Sequence, residues 1–190
     1  MKQVYVVHGY TASANAHWFP YLAQQLQQTD IACYCLNMPD SMQPNPTEWL
    51  DYLKQHLQLT EQTLVVGHSL GCIATLNLLL NQQQPILSGI FVSGFNQTIP
   101  HLAELTPFID IYQELLVKSG LSIKQLFNRT PCAIAAYDDH IVPHQYTDTL
   151  ATSLQANYIR LQQGGHFLDR EGWKEFPLVL QQIQTYFNNE

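Results

Sequence analysis

Ser69 lies between two glycines in the stretch VVGHSLG, and mostly apolar residues flank it on both sides. The run before it predicts a buried strand and the run after it a helix, which would place the serine at the turn between them. Gly67 and Gly71 lack Cβ atoms where strand and helix must approach closely. Such a Gly-x-Ser-x-Gly turn is typical of a strained connection that exposes a nucleophilic hydroxyl. Taken alone, the pattern is equally compatible with an ordinary tight turn.

A serine nucleophile requires a general base and a carboxylate that orients the base. His166 is the candidate base, because it follows the predicted strand 158–161 and two glycines that permit a tight backbone path. The alternative is a histidine in a surface loop. Asp138 and Asp139 follow the predicted strand 132–137 and are both candidates for the carboxylate. Since the carboxyl ends of parallel strands lie at one edge of a sheet, we expect all these groups to meet the serine there.

The stretch VVHGYTAS supplies a His-Gly turn directly after the first predicted strand. Acyl transfer also needs donors for the charge that develops on the carbonyl oxygen. The backbone N–H groups of Tyr10 and Leu70, the second directly after the serine, are the expected oxyanion hole. His8 is more simply explained as a structural residue at a strand end, with a role in the chemistry as the alternative.

Short β-rich apolar runs alternate with segments of helical length through the whole chain. We predict strands at 4–7, 31–36, 63–66, 89–93, 132–137 and 158–161. The helix that opens at Ser69 is apolar on nearly every side, which is typical of a helix buried between a sheet and a neighbour. The final helical segment is interrupted at Pro177, which predicts a break or a late start there. The alternation predicts a parallel sheet covered by helices on both faces.

The segment at about residues 94–131 is longer than the other crossovers and contains at least one extra helical pattern. We interpret it as a small cap-like insertion within a single domain that spans residues 1–190. Its aromatic residues are candidates for shaping a pocket, as are His17 and Trp18 at the start of the first helix. Ordinary core packing is the alternative for Trp18. The aromatic residues of the insertion and its flank are Phe95, Phe108 and Tyr112.

The composition limits the partners that the chain can bind. Eight Lys and Arg residues against 15 Asp and Glu residues give a formal net charge of −7, which repels nucleic acids and anionic membrane surfaces. The apolar stretch at the N-terminus is too short for a signal sequence or a membrane span. We therefore expect a soluble cytoplasmic protein. The candidate serine nucleophile and its base, and not the composition, predict a small-molecule acyl substrate. A protein partner is compatible with the sequence but not indicated by it.

The four cysteines are too few for a disulfide scaffold and are interpreted as free thiols. Cys33 and Cys35 form a Cys-x-Cys pair that resembles half of a metal site, but no second pair follows at ligand spacing. Packing in a strand explains them better. We expect neither a metal ion nor another cofactor.

Taken together, the motifs resemble the α/β-hydrolase superfamily, and specifically the small serine hydrolase family typified by retinoblastoma-binding protein 9 and the bacterial YdeN protein. The stretches that carry this resemblance span nearly the whole chain: VVHGYTASANAHWFPYLAQQL, LNMPD, VGHSLGCIA, FVSGF, DDHIVP and QQGGHFLDREGW. The family has a minimal version of the fold, without the first two strands or a large lid. We expect a six-stranded parallel sheet in the order 2-1-3-4-5-6.

The resemblance implies a catalytic triad of Ser69, Asp139 and His166. Asp139 has the Asp-x-x-Val-Pro spacing that is usual for this loop in such enzymes, and Asp138 would then cap the loop. An esterase-type hydrolase that cleaves a small ester through an acyl-enzyme is the function that follows. Two alternatives stay open: a peptidase or thioesterase with the same triad, and a binding protein built on a hydrolase scaffold.

Overall fold

The computed structural model describes residues 1–188 and contains a six-stranded parallel sheet in the order β2-β1-β3-β4-β5-β6. This confirms the predicted fold class and strand order. Each strand lies within two residues of its predicted position. The strands are β1 (Gln3–Val7), β2 (Ala32–Leu36), β3 (Thr63–His68), β4 (Ser88–Val92), β5 (Cys132–Ala136) and β6 (Asn157–Leu161).

Within residues 1–188, six α-helices connect the strands or follow them. They are α1 (Phe19–Leu26), α2 (Pro46–His56), α3 (Leu70–Gln82), α4 (Thr106–Ser119), α5 (His144–Leu154) and α6 (Pro177–Asn188). The start of α2 shows how local sequence sets these boundaries: Asn45 accepts hydrogen bonds from the backbone of Thr47 and Glu48, and Pro46 occupies the first helical position. The late helix start predicted at Pro177 is also confirmed.

The apolar core is divided by the sheet into two clusters. One cluster packs α2, α3, α4 and α5 against one face, and the other packs α1 and α6 against the opposite face. Helix α3 is buried continuously from Leu70 to Leu80, as its apolar sequence predicts. Each fully buried leucine of this kind contributes about 1.5–3 kcal/mol through the hydrophobic effect. Helix α3 therefore anchors the residue that precedes it, Ser69, to the most buried part of the fold.

The register of the central strands places two loops side by side. Val7, the last residue of β1, pairs with Gly67, and His68 pairs with Val92. Because the strands are parallel, the chain leaves β1 and β3 at the same edge of the sheet. The His-Gly turn therefore emerges directly beside Ser69.

The long segment between β4 and β5 contains α4 and two 3₁₀ turns, Pro100–Leu105 and Ile123–Leu126. Helix α4 packs on α3, where Asn77 Nδ2 donates a 3.0 Å hydrogen bond to the carbonyl of Phe108. The aromatic residues that we considered as pocket-shaping, Phe95, Phe108 and Tyr112, are instead buried in the core. A cap function for this segment stays a prediction, as does a single domain over the whole chain.

Cys33 and Cys35 are half-buried on β2, where they pack with the residues of α1. The Cys35 thiol lies 3.6 Å from the carbonyl oxygen of Phe19. Among residues 1–188, no group of three or more His, Cys, Asp or Glu side chains is arranged to hold a metal ion. None of the helices in that range has the length and apolar character needed to cross a membrane.

Candidate active site

Ser69 occupies a strained turn between β3 and α3. Its φ of 54° and ψ of −121° are uncommon for a residue with a side chain. The two flanking glycines are sterically required, because a Cβ atom at Gly71 would lie 2.1 Å from the carbonyl oxygen of Val7 and one at Gly67 would lie 2.8 Å from Cys72 Cα. The backbone N–H of Ser69 donates to Val92, at 2.9 Å. These contacts hold the turn in its unusual conformation.

His166 and Asp139 are brought together by the loops that follow β6 and β5. The imidazole Nδ1 lies 2.8 Å from Asp139 Oδ2, and both side chains are almost completely buried. The hydroxyl of Ser93 donates to the same oxygen at 2.9 Å. The other oxygen, Oδ1, accepts the N–H groups of Ile141 and Val142, each at 2.9 Å. The carboxylate is thus fixed on both sides, and it orients the imidazole through Nδ1.

Asp138 points away from the imidazole. Its Oδ1 accepts the backbone N–H groups of Gly164 and Gly165, each at 2.9 Å, in the loop that leads to His166. The structure therefore places Asp139, and not Asp138, against the histidine. The neighbouring carboxylate holds the backbone of the histidine loop.

Ser69 and His166 line one cavity. Within residues 1–188, the hydroxyl of Ser69 makes no hydrogen bond to the imidazole. Contacts of this type are often long in a site without substrate and shorten when the substrate binds. The cavity has a volume of about 470 Å³, in the range of small-molecule sites. Its apolar wall consists of Ala12, Ala16, Leu102, Leu105, Ile141 and Leu168.

The turn after β1 packs directly on Ser69. A Cβ atom at Gly9 would lie 2.8 Å from Ser69 Cβ, so only glycine fits this position without movement. In the described part of the chain, neither the Tyr10 N–H nor the Leu70 N–H donates a hydrogen bond to a protein acceptor. Both residues belong to the two turns that meet at the cavity. Tyr10 lines the cavity, whereas Leu70 is fully buried at the start of α3 and does not line it.

His8 has both ring nitrogens engaged inside the protein. Its Nε2 accepts the backbone N–H of Met38 at 2.9 Å, and its Nδ1 lies 2.8 Å from the carbonyl oxygen of Gly9. Burial lowers the pKa of His8. These contacts give His8 a structural role in the turn, in keeping with the simpler of our two interpretations.

His68, inside the Gly-x-Ser-x-Gly stretch, also contacts the His166 loop, which sequence reasoning missed. Its Nε2 donates a 2.9 Å hydrogen bond to the backbone carbonyl of His166. The imidazole is completely buried, so its pKa lies well below the ordinary value, and the nearby His166 and His17 lower it further. A polar residue at the end of an otherwise apolar strand was the signal that could have identified it.

His17 lines the cavity, whereas Trp18 does not. His17 has a φ of 54°, and its Nδ1 accepts the backbone N–H of Asp169 at 3.2 Å. Burial lowers the pKa of His17, although Asp169 opposes this effect. Trp18 is fully buried and packs in the core against His68 and Phe176. Core packing is the alternative that we considered for this residue.

Comparison with known proteins identifies relatives along the entire chain. Residues 4–185 match the serine hydrolase family. The YdeN protein of Bacillus subtilis strain 168 is 38% identical over 195 residues, covering 100% of this chain and 98% of YdeN. The crystal structure of YdeN has a TM-score of 0.89 with 36% identity and full coverage of both chains. Serine hydrolase RBBP9 of Rattus norvegicus is 25% identical over 161 residues, or 83% of this chain and 82% of that protein.

A more distant solved structure shares the fold alone. Alpha/beta hydrolase domain-containing protein 10 from mouse has a TM-score of 0.70 at 14% identity, covering 98% of this chain and 89% of that one. The sheet order found here is thus the α/β-hydrolase arrangement. With the family match extending over residues 4–185 and the YdeN alignment over the full length, the chain belongs to the serine hydrolase family.

Proposed function

We propose that this protein is an esterase-type hydrolase in which Ser69, His166 and Asp139 form a catalytic triad. Membership of the serine hydrolase family indicates hydrolase activity in general. The observation that carries the finer proposal is the 2.8 Å contact between His166 Nδ1 and Asp139 Oδ2, beside a cavity that Ser69 also lines. A buried carboxylate in this position holds the imidazole in the tautomer that leaves Nε2 free to take a proton.

The proposed reaction is acyl transfer in two steps. Ser69 Oγ attacks the substrate carbonyl while His166 takes the hydroxyl proton, and the protonated imidazole then returns that proton to the leaving alcohol. Water then attacks the acyl-enzyme with His166 as general base, the bond between the acyl carbon and Ser69 Oγ breaks, and the imidazole returns the proton to Oγ as the acid leaves. The N–H groups of Tyr10 and Leu70 stabilise the negative charge that develops on the carbonyl oxygen.

The cavity supports a small substrate. Its volume of about 470 Å³ and its wall of mixed aliphatic and polar side chains fit a short or medium acyl chain better than a long lipid. The protein's net charge of −7 disfavours polyanionic substrates such as nucleic acids. The triad chemistry is common to esters, amides and thioesters, so peptidase and thioesterase activities remain the competing proposals.

Hydrolysis of short p-nitrophenyl esters and labelling by a fluorophosphonate probe test this proposal. The wild-type protein is expected to do both, and Ser69→Ala is expected to do neither, with an unchanged circular dichroism spectrum. Retained labelling of Ser69→Ala would overturn the assignment of the nucleophile. Side-by-side rates on matched ester, amide and thioester substrates then identify the bond. A correctly folded wild-type protein without turnover or labelling would favour a binding protein on this scaffold.

A further inference from the structure

The backbone of the His166 loop is bound by a second acidic residue, Glu171. A single carboxylate oxygen, Oε2, accepts the N–H of His166 at 2.9 Å and the N–H of Leu168 at 3.0 Å. Glu171 lies in the 3₁₀ turn Asp169–Glu171, directly after the loop. Hydrogen bonds from N–H groups to a carboxylate are stronger than those between neutral groups. Glu171 therefore binds the peptide unit that carries the imidazole.

The conformation of the loop explains why it needs such external acceptors. Gly165 and Phe167 have φ values of 55° and 58°, so two residues of the loop are in the left-handed region. For a bulky residue such as Phe167, this conformation is strained and persists only when the surroundings hold it. Phe167 is fully buried, which fixes one side of the loop. Glu171 binds the N–H groups on both sides of Phe167.

Glu171 lies on the opposite side of the loop from Ser69. It does not line the cavity that contains Ser69, but it lines a separate groove of about 730 Å³ together with Asp138 and Glu175. A Cβ atom at Gly165 would lie 2.5 Å from Glu171 Oε1, which shows how closely the carboxylate packs against the loop. From this position Glu171 cannot touch a substrate at Ser69. Any effect on the reaction must pass through the residues whose backbone it binds, which are His166 and Leu168, a residue of the cavity wall.

We propose that Glu171 is a positioning residue that sets the direction of the His166 imidazole by fixing the backbone on both sides of Phe167. The inference rests on the proposed function of His166 as general base. Displacing a reacting group by about 1 Å can cost on the order of 100-fold in rate, so a small shift of this loop would be visible in kcat. Because Glu171 does not face the substrate and binds only one residue of the apolar wall, Leu168, KM should change less than kcat.

Three substitutions at Glu171 separate hydrogen-bond geometry from charge. Glu171→Gln keeps the length and an acceptor oxygen, whereas Glu171→Asp keeps the charge but is one methylene shorter. We expect Glu171→Gln to keep kcat for a short p-nitrophenyl ester within about threefold of wild type. Glu171→Asp and Glu171→Ala should lose about 10- to 100-fold in kcat, with KM within about twofold. The rate of fluorophosphonate labelling should fall in parallel with kcat.

The control is Glu175→Ala, because Glu175 lines the same groove but makes no hydrogen bond within residues 1–188. Its kcat should stay within about twofold of wild type.

Thermal unfolding of every variant checks that the protein is folded, and Glu171→Asp still tests the inference if Glu171→Ala does not fold. The inference is overturned if Glu171→Asp keeps wild-type kcat, if the loss appears in KM alone, or if Glu171→Gln loses as much as Glu171→Ala. A wild-type protein without turnover would instead refute the proposed function itself.

Discussion

Asp138 and Asp139 are neighbours in the sequence, but their carboxylates bind different parts of one loop. Asp139 binds the His166 side chain, whereas Asp138 binds the backbone N–H groups of Gly164 and Gly165. Parallel strands make this division possible, because the loops after β5 and β6 leave adjacent strands at the same edge. The two residues should therefore respond differently to the same substitution.

Asp139→Asn is expected to lower kcat for a short ester by about 10³- to 10⁴-fold, because an amide at this position favours the wrong imidazole tautomer. Asp138→Asn should stay within about tenfold of wild type, since an amide oxygen can still accept the two glycine N–H groups. Steady-state kinetics on the two purified variants measures the difference. Equal losses in both would contradict the assignment of Asp139 as the orienting acid.

Gly9→Ala should damage the site through direct contact. The added methyl group would meet Ser69 Cβ at 2.8 Å and the His68 carbonyl at 3.1 Å, so the turn must shift. We expect a loss of at least about tenfold in kcat/KM and a stability loss of about 1–3 kcal/mol. Gly120→Ala is the control: it has a left-handed φ of 62° but open space around it, so it should lose stability without losing activity.

Leu102→Ala should widen the cavity and shift acyl-chain preference. Leu102 lines the cavity next to Ser69, in the long segment between β4 and β5. We expect kcat/KM for an octanoate ester relative to a butyrate ester to rise about three- to tenfold, because two or three methylenes gain space. Leu115→Ala, in the same segment but packed against the core, should leave this ratio unchanged. A constant ratio in both variants would show that this wall does not contact the acyl chain.

Stability should fall as the pH drops below about 6.5. Burial lowers the pKa values of His8, His17 and His68, so the folded protein resists protonation at pH values where the unfolded chain, with a pKa near 6.5, accepts protons. Unfolding then takes up protons, and each group destabilises the fold by up to about 1.4 kcal/mol per pH unit. Urea unfolding of the wild type between pH 5 and 8 measures this slope.

His68→Gln should flatten that dependence, because it removes one buried imidazole while keeping a side-chain donor for the carbonyl of His166. The slope below pH 6.5 is expected to fall by up to about 1.4 kcal/mol per pH unit. His56→Gln, on the exposed face of α2, serves as the matched control. Parallel slopes for His68→Gln and wild type would exclude His68 as the source.

One physical reason explains why the sequence could predict both the sheet and the proximity of Ser69, Asp139 and His166. Apolar periodicity identifies parallel strands, and the ends of such strands necessarily bring their following residues to one edge of the sheet. Each of the three residues comes shortly after a strand, so their proximity needed no knowledge of loop conformation. Periodicity could not decide between Asp138 and Asp139, because it does not specify where the side chains of a loop point.

The contacts that sequence reasoning missed depend on backbone conformations that periodicity does not encode. Glu171 binds the N–H groups on both sides of Phe167, and the residue type at 167 does not predict its left-handed conformation. His17 likewise turns into the cavity through a left-handed φ, while Trp18 beside it enters the core. We considered the aromatic residues of the long segment as pocket-shaping, but they pack in the core with α3. Leu102 and Leu105 line the cavity instead.

The hydrogen bond from His68 to the carbonyl of His166 has a consequence for product release. It joins the residue before Ser69 to a residue 98 positions away, and it is buried. Swinging the His166 loop outward would break this bond and leave two polar groups unpaired, at a cost of about 1–3 kcal/mol each. Leu102 also lines the cavity, and within residues 1–188 no hydrogen bond links it to Ser69. If the proposed ester hydrolysis takes place, we therefore expect its products to leave on the side of the long segment, with the His166 loop stationary during turnover.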